Sequence, residues 1–389
     1  ALSFVFILCI LRVLSMQVTR IATTDAFAQC SESWDCLTRG VPFRSWEWLS
    51  TWWEHYGADR ELYVLAAHDD LGTLIGILPL FRERSATRGR VLQLLGSGEV
   101  CTEYVTVLAT NEHEDPVIDA IANWLIKASR RDAKDADAWD LLELDTVLTS
   151  DSALAKLVGA LAEAGCGVHR KPALNCWKLA LPASWDEFYE GASTSRRKSI
   201  RKLQRNAIDC GRFEFKLANT DDEFRGTMKL FVELHQKRRI SLGEPGCFAS
   251  KKFAAFIDGV SHRLWSRGIL ELSWIELDGQ PVGVDYCLLN ADTTYVYQGG
   301  LEPAAQKEAP GHLMTMALIK HSIRSARTTY DVLRGDETYK ADWGALPQPT
   351  ITLRISANRT VAHLRQGVWL AGATMKNWIK GGMTLTGMQ

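Results

Sequence analysis

The sequence predicts an α/β protein built from two packed copies of one α+β plan. Its 389 residues are about two to three times a usual domain's length, so a single small module is excluded and a large buried core is available. Hydrophobic residues make up 46% and charged residues 23%, the balance of a folded globular chain rather than a disordered one. The decisive observation is an internal repeat of strand and helix patterns in the same order.

The elements follow in pairs. Residues 61–82 (ELYVLAAHDDLGTLIGILPLFR) and 270–289 (LELSWIELDGQPVGVDYCLL) each read as strand, turn and strand, with turn glycines Gly72 and Gly279 followed four residues later by Gly76 and Gly283. The next strands are 104–110 (YVTVLAT) and 294–300 (TYVYQGG). Proline-started helices follow at 115–130 and 309–327, proline being favoured at a helix's first turn. Each helix returns to a strand, 139–145 or 330–336, sharing the pattern x-D-φ-L-x-x-D, where φ is apolar. Upstream helices at 45–57 and 250–268 also correspond. The expected division is a first domain over 16–180, a second over 181–355, and a fraying tail over 356–389 that ends in GGMTLTGMQ.

Residues 1–15 form an apolar run without a leading basic region, too short to span a bilayer comfortably. Met16 is the expected natural start and 1–15 an upstream extension; a truncated signal or anchor is the rival reading. No stable membrane insertion is expected. The formal net charge of -1 argues against wholesale attraction to DNA or anionic lipid, while leaving local patches open. The nine cysteines show no C-x-x-C pair and the nine histidines no metal-binding pair, so the chain is expected to be cytoplasmic, with free thiols and no metal.

The order of elements, together with YQGGLEP (297–303), the Pro-Gly helix start (310–311) and DVLRGDETYKADW (331–343), resembles the GCN5-related N-acyltransferase (GNAT) fold in tandem. Each copy is then a mixed, mostly antiparallel sheet flanked by helices. More closely, the second half resembles the acetyltransferase domain of the cellulose-biosynthesis CelD-like family, a relative of the FemAB peptidyltransferases. The resemblance covers nearly all of 16–355, the first half by pattern only. It implies an acyltransferase using acyl-CoA, acetyl-CoA in the first instance, and a small-molecule or glycan-precursor acceptor. A FemAB-type enzyme drawing on aminoacyl-tRNA is the second reading, and a non-catalytic scaffold the third.

An acyl-CoA site needs donors for a pyrophosphate, which a helix N-terminus supplies. Gly311, His312 and Leu313 are the candidates, with Lys340 as a further phosphate partner. It also needs an open strand edge for the amide-bearing arm, and adjacent Gly299 and Gly300 suggest a bulge or splay there. In the family an amide at this edge also polarises the thioester carbonyl. A proton acceptor is needed for an amine nucleophile. Asp285, on the strand face away from Val282, Val284 and Tyr286, qualifies, as do Asp336 and Glu337 after Gly335. Asp336 is the favoured base and Asp285 the holder of the acceptor's ammonium. Tyr297, Gln298, Tyr339 and Trp343 are expected to line the acceptor cleft. The helix 195–205 has basic residues on one side and Ile200, Leu203 and Ala207 on the other, a surface for tRNA or another anion. Cys247 and Cys287 have no histidine beside them in any recognisable motif, so covalent catalysis is not expected.

Overall fold

The computed structural model describes residues 16–385, with side chains through 372; residues 1–15, for which an upstream extension is expected, lie outside the described residues. The first half runs β1 (Gln17–Ile21), α1 (Thr24–Ala28), α2 (Ser31–Trp34), α3 (Trp46–Tyr56), β2 (Glu61–Leu62), β3 (Val64–His68), β4 (Leu74–Leu78), β5 (Leu80–Ser85), β6 (Gly89–Leu94), β7 (Leu108–Ala109), α4 (Glu114–Ser129), β8 (Leu141–Leu148), α5 (Ser152–Glu163) and β9 (Gly167–Pro172). The second continues with β10 (Cys176–Ala180), α6 (Trp185–Gly191), α7 (Thr194–Leu203), β11 (Phe213–Leu217), α8 (Asp221–Ser241), α9 (Lys251–Ser266), β12 (Leu270–Leu277), β13 (Gln280–Leu289), β14 (Thr293–Leu301), α10 (Pro310–Arg324), β15 (Thr329–Arg334), α11 (Thr338–Asp342), β16 (Leu346–Gln348), β17 (Thr350–Ser356) and α12 (Thr360–Leu385).

Local signals account for the second half's frame. Asp278 and Gly279, both with positive φ, make the two-residue turn between β12 and β13, the Asp-Gly pairing that suits the twist of a hairpin. Thr220 and Glu223 form a reciprocal capping box at the start of α8, satisfying N–H groups that the helix itself leaves open. The second sheet has the order β11-β12-β13-β14-β15-β10-β16. Helices α8 and α9 cover one face. The other carries Ile275, Cys287 and Val282 against α10 and α7 through Leu313, Met316 and Ile200.

The first half repeats the plan but divides it between two sheets, β1-β3-β4-β7 and β2-β5-β6-β8-β17-β9. Strand β17, within the 181–355 stretch expected for the second domain, hydrogen-bonds between β8 and β9 of the first half. Conversely β10, before residue 181, joins the second sheet through β15 and β16. The halves therefore exchange strands, and their repeated helices α3 and α9 pack together, with Trp48 edge-on to Phe256 at 5.1 Å. One aromatic core runs through both halves. Each ring buried there contributes roughly 1.5–3 kcal/mol relative to exposure.

Two expectations on length are corrected. The strand expected over 104–110 is only Leu108–Ala109, because Cys101 and Tyr104 take positive φ and Tyr104 Oη turns to donate to Asp331 Oδ2 at 2.8 Å in the second half. The tail expected to fray from 356 instead forms α12, anchored by buried Ala362 and Gln366; its last four residues lie outside the described residues. A polar seam closes the joint. Buried Glu103 accepts from Arg334 Nε at 2.8 Å, and burial outweighs that cation, pushing the carboxyl up to about 7.

Candidate active site

Strands β14 and β15 run parallel, but their pairing stops at Tyr295↔Asp331. Two irregularities end it. A bulge on β14 at Tyr297 falls between the pairs Tyr286↔Gln298 and Cys287↔Val296. On β15 the register against β10 jumps from Leu333 to Asp331, with Leu333 at φ 52. Beyond these points the pairing ends, so β14 presents main-chain groups on the β15 side that no strand among the described residues pairs.

Gly299 and Gly300 lie on this free stretch and serve opposite faces. A Cβ on Gly299 would sit 2.1 Å from Asp285 Oδ1, whereas one on Gly300 would sit 2.4 Å from the backbone nitrogen of His235 in α8. The first glycine makes room for a carboxylate, the second for a helix. Gly299 is open to solvent and Gly300 is buried.

Asp285 stands in the middle of β13, directly across from Gly299. Its side chain makes no hydrogen bond or ion pair among the described residues. It is sunk among protein atoms with only a fringe reaching solvent, and burial alone pushes it from 3.8 up to about 8. Tyr339 and buried Tyr330 lie within electrostatic reach of it. The other two carboxylates differ in kind. Asp336 is exposed and accepts from Asn175 Nδ2 at 2.8 Å and Trp177 Nε1 at 3.0 Å; these bonds hold it below the ordinary carboxylate range. Glu337 is also exposed and pairs with Lys340 at 3.0 Å.

Lys340, expected at a phosphate, is buried and turned inward. Its ammonium donates to the carbonyls of Leu333, Arg334 and Gly335 at 3.2, 2.9 and 3.0 Å. It neutralises the acceptors exposed by the turn that Leu333 and Gly335, at φ 52 and 122, impose. Two expected cleft residues are likewise in the core. Tyr297 packs edge-on to Trp48 at 5.2 Å and donates to the Val100 carbonyl at 2.7 Å. Trp343 is buried beneath Arg196, whose guanidinium lies 4.4 Å from the ring, and donates to His312 Nδ1 at 3.3 Å. Gln298 interacts with His235 on the α8 side, the face opposite Asp285. Tyr339 remains partly exposed.

The helix start and the basic helix, separate features in the sequence, meet in one cavity of about 440 Å³. Ser193, Arg196, Ser199 and Lys202 of the α7 segment face Lys307 and His312 across it. Among the expected amide donors, His312 and Leu313 bond to the Ala309 carbonyl at 3.0 and 3.1 Å. Gly311 N–H has no backbone acceptor among the described residues, the ordinary condition of a first-turn amide. Burial first, and Arg196 second, lower the His312 pKa; the Trp343 bond assigns its proton to Nε2. Arg196, Lys202 and Lys307 are the pocket residues that sequence reasoning did not assign individually. The signal for Arg196 and Lys202 was the charge pattern of 195–205, whose direction only the fold supplies; Lys307 had none.

The structure also sets His235 Nε2 3.5 Å from Cys247 Sγ, a pairing absent from any sequence motif. Burial pushes the thiol up to about 12 and the imidazole down, so the pair is neutral thiol and neutral ring rather than an activated thiolate.

Residues 194–341 match the family model of an acetyltransferase (GNAT) domain. Over that stretch the second half is thus similar to a GNAT acetyltransferase domain, and the first half repeats its plan. Among solved structures, FemX superposes with a TM-score of 0.60 at 12% identity, covering 89% of this chain and 99% of that one. A conserved protein of unknown function from Bacteroides thetaiotaomicron VPI-5482 gives 0.55 at 11% identity, covering 87% and 100%. At these identities the likeness is one of fold. No curated protein matches the sequence.

Proposed function

We propose that the second half transfers an acyl group, acetyl in the first instance, from coenzyme A to an amine, or to a hydroxyl, of a sugar or cell-envelope precursor, with Asp285 as proton acceptor. The observation that carries this reading is the unpartnered Asp285 carboxylate, at about 8, facing the side-chain-free Gly299 where β14 leaves β15. A carboxyl of that affinity is ionised above about pH 8 and there accepts a proton from an attacking amine.

The basic pocket fits the phosphates of such a donor. Lys202, Lys307 and the Gly311 amide would hold them, with Arg196 positioned by Trp343. The bound thioester supplies the carbonyl to be attacked. Free main-chain groups of β14 receive the amide-bearing arm and polarise that carbonyl; as the C–N bond forms Asp285 takes the proton released from the amine, and the C–S bond breaks, the coenzyme A thiolate leaving and taking its proton from water. Asp336, held ionised by Asn175 and Trp177, orients the strand exit. The first half lacks this arrangement. Val117, the counterpart of Gly311, is buried and fills the space over Gly76, whose Cβ position is 2.3 Å from Val117 Cγ1. The eight cysteines among the described residues, all free, suit a reducing cytoplasm.

A FemAB-type reaction from aminoacyl-tRNA is the second reading, favoured by the exposed Lys198, Arg201 and Lys202 on α7 and Arg205 just after it. Calorimetry against acetyl-CoA and against tRNA separates the two. The primary reading expects acetyl-CoA to bind, and Lys202→Glu with Lys307→Glu to weaken it about tenfold or more. Binding of tRNA with no affinity for acetyl-CoA would replace it with the second.

A further inference from the structure

A groove of about 1090 Å³ lies away from the strand splay, between the β5–β6 hairpin, the loop after α4 and the start of α12. Five arginines line it, Arg84, Arg90, Arg131, Arg359 and Arg365, against two aspartates, Asp135 and Asp140. Arg90 and Arg365 share Asp140 at 3.1 and 3.7 Å, and Arg84 pairs with Glu61 at 3.0 Å. Two guanidinium groups are left without a carboxylate. Arg359 donates to the carbonyls of Ser129 and Ala128 at 2.9 and 3.0 Å, capping α4. Exposed Arg131 makes no hydrogen bond or ion pair among the described residues. The groove therefore holds a surplus of positive charge.

An apolar stripe adjoins it. One side of α12 is anchored by buried Ala362 and Gln366, and Trp369 lies 4.0 Å from the Arg354 guanidinium. The opposite side exposes Val361, Leu364 and Val368 at 56%, 65% and 75%. These positions recur at helical spacing and run about 10 Å along the helix. Val361 itself lines the arginine groove, so the two features form one continuous surface.

We propose that this surface docks the protein on an anionic phospholipid bilayer, the arginines meeting lipid phosphates and the α12 stripe entering the boundary between headgroups and acyl chains. Charge complementarity selects this partner. A nucleic acid would satisfy the arginines and leave the stripe in water, whereas a lipid interface satisfies both at once. The association is peripheral, since among the described residues no helix is long and apolar enough to cross a membrane. It is independent of the reaction assigned to the second half.

Co-sedimentation of the full chain with phosphatidylcholine vesicles, with and without phosphatidylglycerol, tests the proposal. Binding is expected only with phosphatidylglycerol, weakening as salt rises. Arg131→Ala should lower the affinity about fivefold, and Leu364→Glu with Val368→Glu about tenfold or more. All three side chains are exposed, so the variants should melt like the parent. Equal binding to neutral vesicles, or binding unchanged in both variants, would overturn it. So would a dimer abolished by Leu364→Glu, or Arg131-dependent binding to a short RNA without vesicle binding.

Discussion

Replacing Asp285 with asparagine should remove activity while making the protein more stable in alkaline solution. The carboxyl is shifted from 3.8 to about 8 by burial, with no cation opposing it. The unfolded chain then releases this proton near its ordinary pKa, whereas the folded chain keeps it. Between about pH 4 and 8 the native state holds more protons than the unfolded state, so this group's contribution to stability falls as pH rises and levels off above about 8. At about 1.36 kcal/mol per pH unit the shift sets a ceiling of about 5–6 kcal/mol. Water at the fringe of the carboxylate reduces this, and a gain of about 1–3 kcal/mol at pH 9 is expected for Asp285→Asn. None is expected at pH 4. The amide keeps the shape across from Gly299 but accepts no proton, so turnover should fall about 10²–10⁴-fold. Thiol release from acetyl-CoA with an amino-sugar panel, run from pH 6 to 9.5, reads the chemistry; urea unfolding at the two pH values reads the stability. The parent's kcat/KM should climb through about pH 8 and the mutant's should not. Retained activity in Asp285→Asn, or a stability difference independent of pH, would refute the reasoning.

The remaining predictions test neighbouring groups. Gly299→Ala should cost activity through displacement of Asp285, with stability changed by less than about 1 kcal/mol, whereas Gly300→Ala meets the α8 backbone and should destabilise by about 1–3 kcal/mol in denaturant; equal effects would contradict the two-face assignment. Lys340→Met leaves three turn carbonyls without their donor and should lower stability by about 2–4 kcal/mol. Measured acetyl-CoA affinity per folded molecule should change little, since the ammonium faces inward. Cys247→Ser should keep activity within about twofold, because a thiol held near 12 is protonated at working pH; loss of a trapped acyl-enzyme together with activity would point to a covalent route instead.

The repeat was legible in the sequence because periodicity and turn chemistry are local. Gly279 announces a hairpin, Pro310 a helix start, and the alternation along 280–289 puts Asp285 on a face of its own whatever surrounds it. The splay was legible in part, since paired glycines signal a free or bulged strand. What those glycines face was not. Gly299 makes room for a carboxylate and Gly300 for a helix, and both partners come from distant segments. The environments of Asp285 and Asp336 were set by tertiary surroundings: one is buried without a partner among the described residues, the other exposed between Asn175 and Trp177, and pKa depends on desolvation and neighbours rather than on residue type. The same holds for Lys340, whose charge reads as a phosphate ligand in the sequence and whose burial makes it a cap for three carbonyls. Strand exchange between the halves, through β10 and β17, has no local signature either. It arises because an exposed strand edge is completed by whichever segment the folded chain brings beside it.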